Sequence, residues 1–370
     1  MLIIHILWRF MNIPKFNTST LSVYSELKRE VNHYFEHKGL SRTGNFSLYF
    51  KATFLLLTYM ATYTHLVFFT PPGWLALLEC MLLGLFTAAI GFNVMHDGAH
   101  GSFSPSPKLN KLAAFTLDLL GASSFMWNTK HNIIHHAYTN IEGVDNDIEA
   151  GILLRMAPQQ KRYGFHKYQH VYVWVLYGLL HIAWVFYTDY KKYFSNKVGN
   201  VALKKLKLKD HLLFWFFKLL HVILYVALPI FVVGFWSWLA GFLVYSFSSG
   251  LILSLVFQLA HVIEETTFPE PVMPANRIED EWAIHQLKTT ANFATGNRFI
   301  TWWVGGLNFQ IEHHLFPRIS HIHYPAISKI IKQTCADMGV PYIEHGTMHD
   351  AIISHVSHLR NMGSTNPNPQ

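Results

Sequence analysis

The chain has 370 residues, of which 51% are hydrophobic, 15% aromatic and only 14% charged. Soluble globular proteins carry about 25% charged residues, so this balance excludes an ordinary soluble domain and points to a membrane protein. Its 24 histidines stand against two cysteines, Cys80 and Cys335, which form no CxxC pair. That excludes a disulfide framework and a zinc–sulfur site, and leaves nitrogen and oxygen as the donors for any metal.

Residues 1–50 read as a mixed, basic N-terminal segment with a helix from Ser22 to His37. Its start, MLIIHILWRFM, lacks a basic n-region and a cleavage site and is too short to span; Met11 is an alternative start. Residues 52–70 and 74–95 are each long enough to cross a bilayer, which takes about 20 apolar residues. Pro71-Pro72-Gly73 joins them into a hairpin, and the basic residues before it place both ends in the cytoplasm.

The hairpin ends at HDGAH, with His96 and His100 four apart. Residues 111–127 are short and mildly apolar, which predicts an interfacial segment. Next comes HNIIHH, where His131, His135 and His136 precede the acidic run Glu142, Asp145, Asp147 and Glu149. Residues four apart share a helix face, so His131 and His135 are expected to grip one ion together. His136 is turned by about 100°, which lets one helix serve two neighbouring metals.

Residues 171–188 are apolar enough to span yet rich in aromatics, as interfacial segments are. A loop over 191–210 with seven lysines follows, then a second hairpin of spans 212–233 and 236–260 that ends at His261. A polar region carrying QIEHH, with Gln310, His313 and His314, completes the motifs. If 171–188 crossed, the lysine loop would be exported and QIEHH would face away from the other clusters. An interfacial or re-entrant segment keeps lysines and histidines together in the cytoplasm, as the positive-inside rule requires. The expectation is an all-α integral membrane protein with four spans in two hairpins, interfacial helices and a cytoplasmic histidine-rich cap. With its net charge of +7 on that side, it should meet anionic lipid or an acidic protein rather than nucleic acid.

Eight imidazoles, at 96, 100, 131, 135, 136, 261, 313 and 314, exceed the four ligands that complete a zinc site, so two metals are expected. Asp97, Asn140, Asp145, Asp147, Asn308 and Glu312 are candidates to steady these rings, because metal-bound imidazoles donate their other N–H to oxygen. His65, His181 and His221, isolated in apolar runs, read as incidental; His321 and His323 read equally as supporting residues or as loop. Trp127, Trp282, Trp302 and Trp303 are candidates to line an apolar tunnel.

These words, with QLAHVIE at 258–264, DEWAIHQLKTTANFATGN at 280–297 and GGLNFQIEHHLFPRISHIHYP at 305–325, resemble the membrane fatty acid desaturases, and within them the bacterial and cyanobacterial acyl-lipid front-end group of Δ6 type. The resemblance covers roughly residues 50–345, with a desaturase domain over 51–345 and a partly disordered tail over 346–370. It implies a non-haem di-iron centre held by the histidine boxes and His261, O₂ as co-substrate, two external electrons and an acyl chain on a lipid or coenzyme A. Gln310 stands where most members have histidine, an exchange typical of front-end enzymes, and the resemblance leaves open whether it binds iron directly or through water. No fused cytochrome domain resembling HPGG types is seen in residues 1–50, so ferredoxin or a separate cytochrome is the expected donor, with the lysine loop as a place to meet it. The location implied is a bacterial inner membrane. The rival readings are a di-iron acyl hydroxylase or monooxygenase and, from another class, a metal transporter or haem-binding membrane protein. Transport or haem would require histidines inside the spans, whereas the clusters lie beyond them.

Overall fold

The computed structural model describes residues 13–18 and 22–364, and these are mostly helical. The N-terminal apolar run and residues 365–370 of the tail lie outside the described residues. Helix α1 (Val23–Lys38) starts where the Ser22 hydroxyl accepts the Ser25 N–H and ends at left-handed Gly39, one residue off the expected span at each end. Five helices are long and apolar enough to cross a membrane. They are α2 (Phe46–Phe69), α3 (Gly73–His100), α5 (Gly164–Ser195), α6 (Leu208–Val233) and α7 (Phe235–His261). Between α3 and α5, residues 124–138 form α4, and Trp282–Thr289 (α8), Gln310–Leu315 (α9), Tyr324–Met338 (α10) and Met348–Gly363 (α11) build the cap.

Helices α2, α3 and α6 run at least a turn beyond their expected spans and α7 one residue at each end, because apolar composition marks only the part that leaves water, while α3 and α7 continue until they deliver His96, His100 and His261. These two helices run parallel. A Cβ on Gly84 would strike the Tyr245 carbonyl, Gly91 faces Leu253, and the Phe92 and Phe257 rings lie 6.1 Å apart. Glycine is what permits so close an approach of backbones.

Helix α5 differs most from expectation: the apolar stretch 171–188 is part of one continuous helix of 32 residues. It packs across α7, where a Cβ on Gly250 would come within 2.6 Å of the Gly178 carbonyl. Its first turns are tied to the cap through Gln169 Nε2, which donates to the carbonyls of Arg155 and Leu359. The chain just beyond its end is tied to the cap too, since Asn200 Nδ2 donates to the Gly143 carbonyl. Residues 111–127, expected as one interfacial segment, break into short turns over Pro107–Ala114, Thr116–Leu119 and Ser124–Asn128. Helix α11 packs on α5 and α7 through buried Ala351, His355 and Leu359, so packed structure continues past residue 345.

A wide π turn stands beside two of the histidine motifs, over Gly91–Met95 and over Thr129–His135. Such turns shift the angular spacing of the side chains that follow and are common at functional sites.

Candidate metal centre

All eight candidate histidines converge on one buried volume between the ends of α3 and α7, α4 and α9. His96, His100, His131 and His313 each present a nitrogen within 4.8 Å of the others, and His135, His261 and His314 form a second set by the same measure. His136 lies between the sets, its ring 4.5 Å from that of His313 and 4.4 Å from that of His314. His131 belongs to the first set and His135 to the second, and their rings stack 5.3 Å apart on adjoining sides of the same space. His131, His135 and Asp147 also fall within 4.8 Å, but Asp147 is engaged by Lys130 and by His135 Nδ1.

The nitrogens follow a pattern. Four Nδ1 atoms are tied to the protein: His135 to Asp145 at 3.0 Å, His261 to the Thr289 carbonyl at 3.1 Å, His313 to the Tyr324 hydroxyl at 3.1 Å, and His314 to Gln286 Oε1 at 2.8 Å. The Nε2 atoms of His100, His261, His313 and His314 are buried with no hydrogen-bond partner. His131 Nε2 lies 3.3 Å from His96 Nε2 and 3.1 Å from His136 Nε2, so three ring nitrogens crowd one point. Unpartnered buried nitrogens cost free energy unless a cation satisfies them, so the donor set fits a metal centre.

Electrostatics agree. Burial pushes the imidazoles of His131, His136, His313 and His314 well below the ordinary histidine range, which keeps them neutral and able to ligate. His135 is the exception: burial alone would lower it, but the Asp145 and Asp147 carboxylates hold it above the usual value.

Of the residues expected to steady the rings, Asp145 and Asp147 contact His135, and Asn140 Nδ2 fixes the end of α7 through the His261 carbonyl. Three depart from expectation. Asp97 accepts hydrogen bonds from Ser320 and His321, because it points away from the box toward the 320–321 turn. Glu312 binds Asn292 and Tyr342, and burial raises its carboxyl to about 7. Asn308 donates to the Ala294 carbonyl and to Thr301, bracing a loop. Gln310 is buried, with its Nε2 unpartnered, one helical turn before His313 and His314.

Gln286, Thr289 and Tyr324 were not singled out from sequence, although the DEWAIHQLKTTANFATGN and HIHYP words contain them. Their signal was a position inside a motif, not a spacing. Of the four tryptophans, Trp127 stacks on His131 at 4.3 Å, Trp282 donates to the His136 carbonyl, and Trp302 and Trp303 pack among Phe54, Phe86 and Phe299 instead.

Fold and site together define a helical membrane protein with a buried cluster of histidines, compatible with a metal centre, at the ends of α3 and α7. The family model for fatty acid desaturases matches residues 72–346, and the chain belongs to that family. It is 38% identical over 344 residues to an sn-1 linoleoyl-lipid 6-desaturase of Arthrospira platensis, covering 92% of each chain. A protein of the same description from Synechocystis sp. is also 38% identical, over 91% of this chain and 94% of its own length. An acyl-lipid (8-3)-desaturase of Physcomitrium patens is 35% identical over 92% of this chain and 72% of its own. The expectation of an oxidoreductase that desaturates fatty acyl chains is thereby met.

Proposed function

We propose that this desaturase inserts a cis double bond on the carboxyl side of an existing one, at carbon 6 of a lipid-linked linoleoyl chain. The first two relatives act at that position by their names, and Gln310 in the third box supports the front-end assignment. In this reading His96, His100, His131 and His313 hold one iron, and His135, His261 and His314 hold the other. His136 serves between them, and Gln310 offers its amide to the same space directly or through a water. The convergence of unpartnered Nε2 atoms whose Nδ1 partners are fixed is the observation that carries it.

When bound, the iron pair supplies the oxidation of an unactivated C–H bond, which no side chain can perform. The chain's own residues do the rest. Gln286, Tyr324, Asp145 and the Thr289 carbonyl fix ring orientation. Burial excludes water, and Trp127 and Phe257 flank His131 as apolar walls against which a methylene can rest. O₂ accepts four electrons, two from the C–H bonds broken and two from an external donor, giving the alkene and two waters. Ferredoxin or a separate cytochrome is the donor, and the 191–210 loop, where six of seven lysines are exposed, is its place of approach.

The proposed topology has four spans, α2, α3, α6 and α7, with the histidine centre on the cytoplasmic side. Parallel packing of α3 and α7 supports it, because α6 alone crossing between them leaves them parallel, whereas α5 and α6 both crossing would make them antiparallel. The cap contacts at both ends of α5 support a helix that lies in the interface or re-enters. The desaturase domain then spans about 51–345, between a cytoplasmic N-terminal segment and a C-terminal tail, in a bacterial inner membrane.

The test is the fatty acid profile of a desaturase-poor bacterium expressing this chain and fed linoleate, beside a His135→Ala variant. A triene with its added bond on the carboxyl side, absent in the variant, is expected. A hydroxylated fatty acid would move the enzyme to the hydroxylases, and purified protein without iron would overturn the ligand assignment.

A further inference from the structure

Two large cavities each reach one ring of the histidine centre. One, of about 420 Å³ beside α5 and α7, is lined by His131, and the other, of about 720 Å³ between the HDGAH turn and the start of α6, is lined by His100. His100 is the ring nearest to water: it is half-buried, whereas the other seven histidines of the centre are buried. Its centroid lies 4.7–5.3 Å from those of His96, His131, His136 and His313. One imidazole therefore stands between this cavity and the rest of the cluster.

The charges around the two openings differ. Lys111, Lys209 and Arg318 line the larger cavity and all three are exposed. Its two carboxylates do not offset them, since Asp118 is buried and Asp210, half-buried, accepts the Lys207 N–H at the start of α6. At the smaller cavity the exposed charge is Glu149, while Lys130 is paired with Asp147 and Lys192 is buried. An acidic surface is attracted to the His100 opening and repelled from the His131 one.

We propose that the His100 cavity is the docking face for an acidic one-electron carrier protein, with His100 as the ring through which its electrons enter. This rests on the desaturase reading above. It narrows the donor's contact from the whole 191–210 loop to Lys209, joined by Lys111 and Arg318 from elsewhere in the chain. Electron transfer weakens steeply with distance, so a carrier must dock where the centre comes nearest the surface. Each visit oxidises the carrier by one electron. Two visits, with two protons from solvent, complete the conversion of O₂ and the two hydrogens taken from the acyl chain into two waters. The mostly apolar cavity beside His131 is left for that chain, so donor and lipid reach the centre from separate openings.

The experiment measures binding of a plant-type [2Fe–2S] ferredoxin, an acidic one-electron carrier, to the purified full chain in detergent, with and without iron. Desaturation of a linoleoyl lipid with the same ferredoxin is followed in parallel. Lys111→Glu, Lys209→Glu and Arg318→Glu are each expected to raise the ferredoxin Kd about 5-fold or more at low salt, with the difference lost at about 0.5 M salt. Their KM for ferredoxin should rise alike, with the KM for lipid unchanged. Lys204→Glu and Lys329→Glu, which reverse exposed charges lining neither cavity, should stay within about 2-fold of wild type. A wild type that does not bind ferredoxin, unchanged binding in the three variants, or equal weakening by Lys204→Glu would overturn the proposal. A raised lipid KM with unchanged ferredoxin Kd would give the cavity to a lipid headgroup and overturn it too. These results leave the desaturase reading intact, whereas an iron-loaded wild type that forms no alkene overturns both.

Discussion

Asp145 shows how one side chain decides whether a ligand is ready. Its Oδ2 takes the His135 Nδ1 proton and the Asn140 backbone N–H, so one carboxylate orients the ring and caps the turn after α4. Losing such an outer partner typically costs about 10–100-fold in metal affinity or activity. Asp145→Asn should therefore retain the fold but lower iron content and product by that order, measured as iron per purified chain and triene per cell. A second carboxylate makes a prediction about pH. Burial raises Asp118 to about 7, with a single hydrogen bond from the Ser124 N–H and Oδ2 unpartnered. A folded-state pKa above the unfolded one means that its stabilising contribution is complete at acid pH and is lost as pH rises through about 7. Wild type should lose thermal stability between pH 6 and pH 8 by more than Asp118→Asn does, as read from melting curves in detergent. The box histidines were legible in sequence because ligand chemistry demands short spacings. Gln286 and Tyr324 were not, because their value lies in which nitrogen they meet across the fold.

At the scale of elements, helix ends matter more than helix middles. α3 and α7 pass through an apolar medium where every backbone group must be satisfied within the helix, and both terminate in ligands. Their closeness depends on small residues at the crossings. Gly250→Leu would drive a side chain into the Tyr177 and Gly178 carbonyls at the α5 crossing, and overpacking of this kind costs about 1–3 kcal/mol or more. A lower melting temperature and poorer recovery are expected, whereas Gly73→Leu, which faces open space, should match wild type. Periodicity and hydropathy located these helices but understated their lengths. The π turns at Gly91–Met95 and Thr129–His135 leave no compositional mark, so neither periodicity nor hydropathy could show them.

For the whole molecule, topology follows from which ends must meet. Single cysteines introduced at Ser41 and Lys205, both exposed, should react with an impermeant thiol reagent from the same membrane face. One at Phe235, the first residue of α7, should react from the opposite face. The native Cys80 and Cys335 are buried and should stay silent. Labelling of Lys205→Cys from the face opposite to Ser41→Cys would exclude four spans.

The scattering of the ligands along the chain has a consequence in time. His96 leaves the ribosome early, and His313 and His314 emerge only near the end of synthesis. Half-built, the centre would be a partial cluster of imidazoles open to any passing cation, copper above all by intrinsic affinity. Until the closing α9 turn arrives, selectivity therefore falls to the cell's metal supply rather than to the protein. Correct loading becomes a late event in biogenesis, and a chain truncated before Gln310 should collect the wrong ion or none.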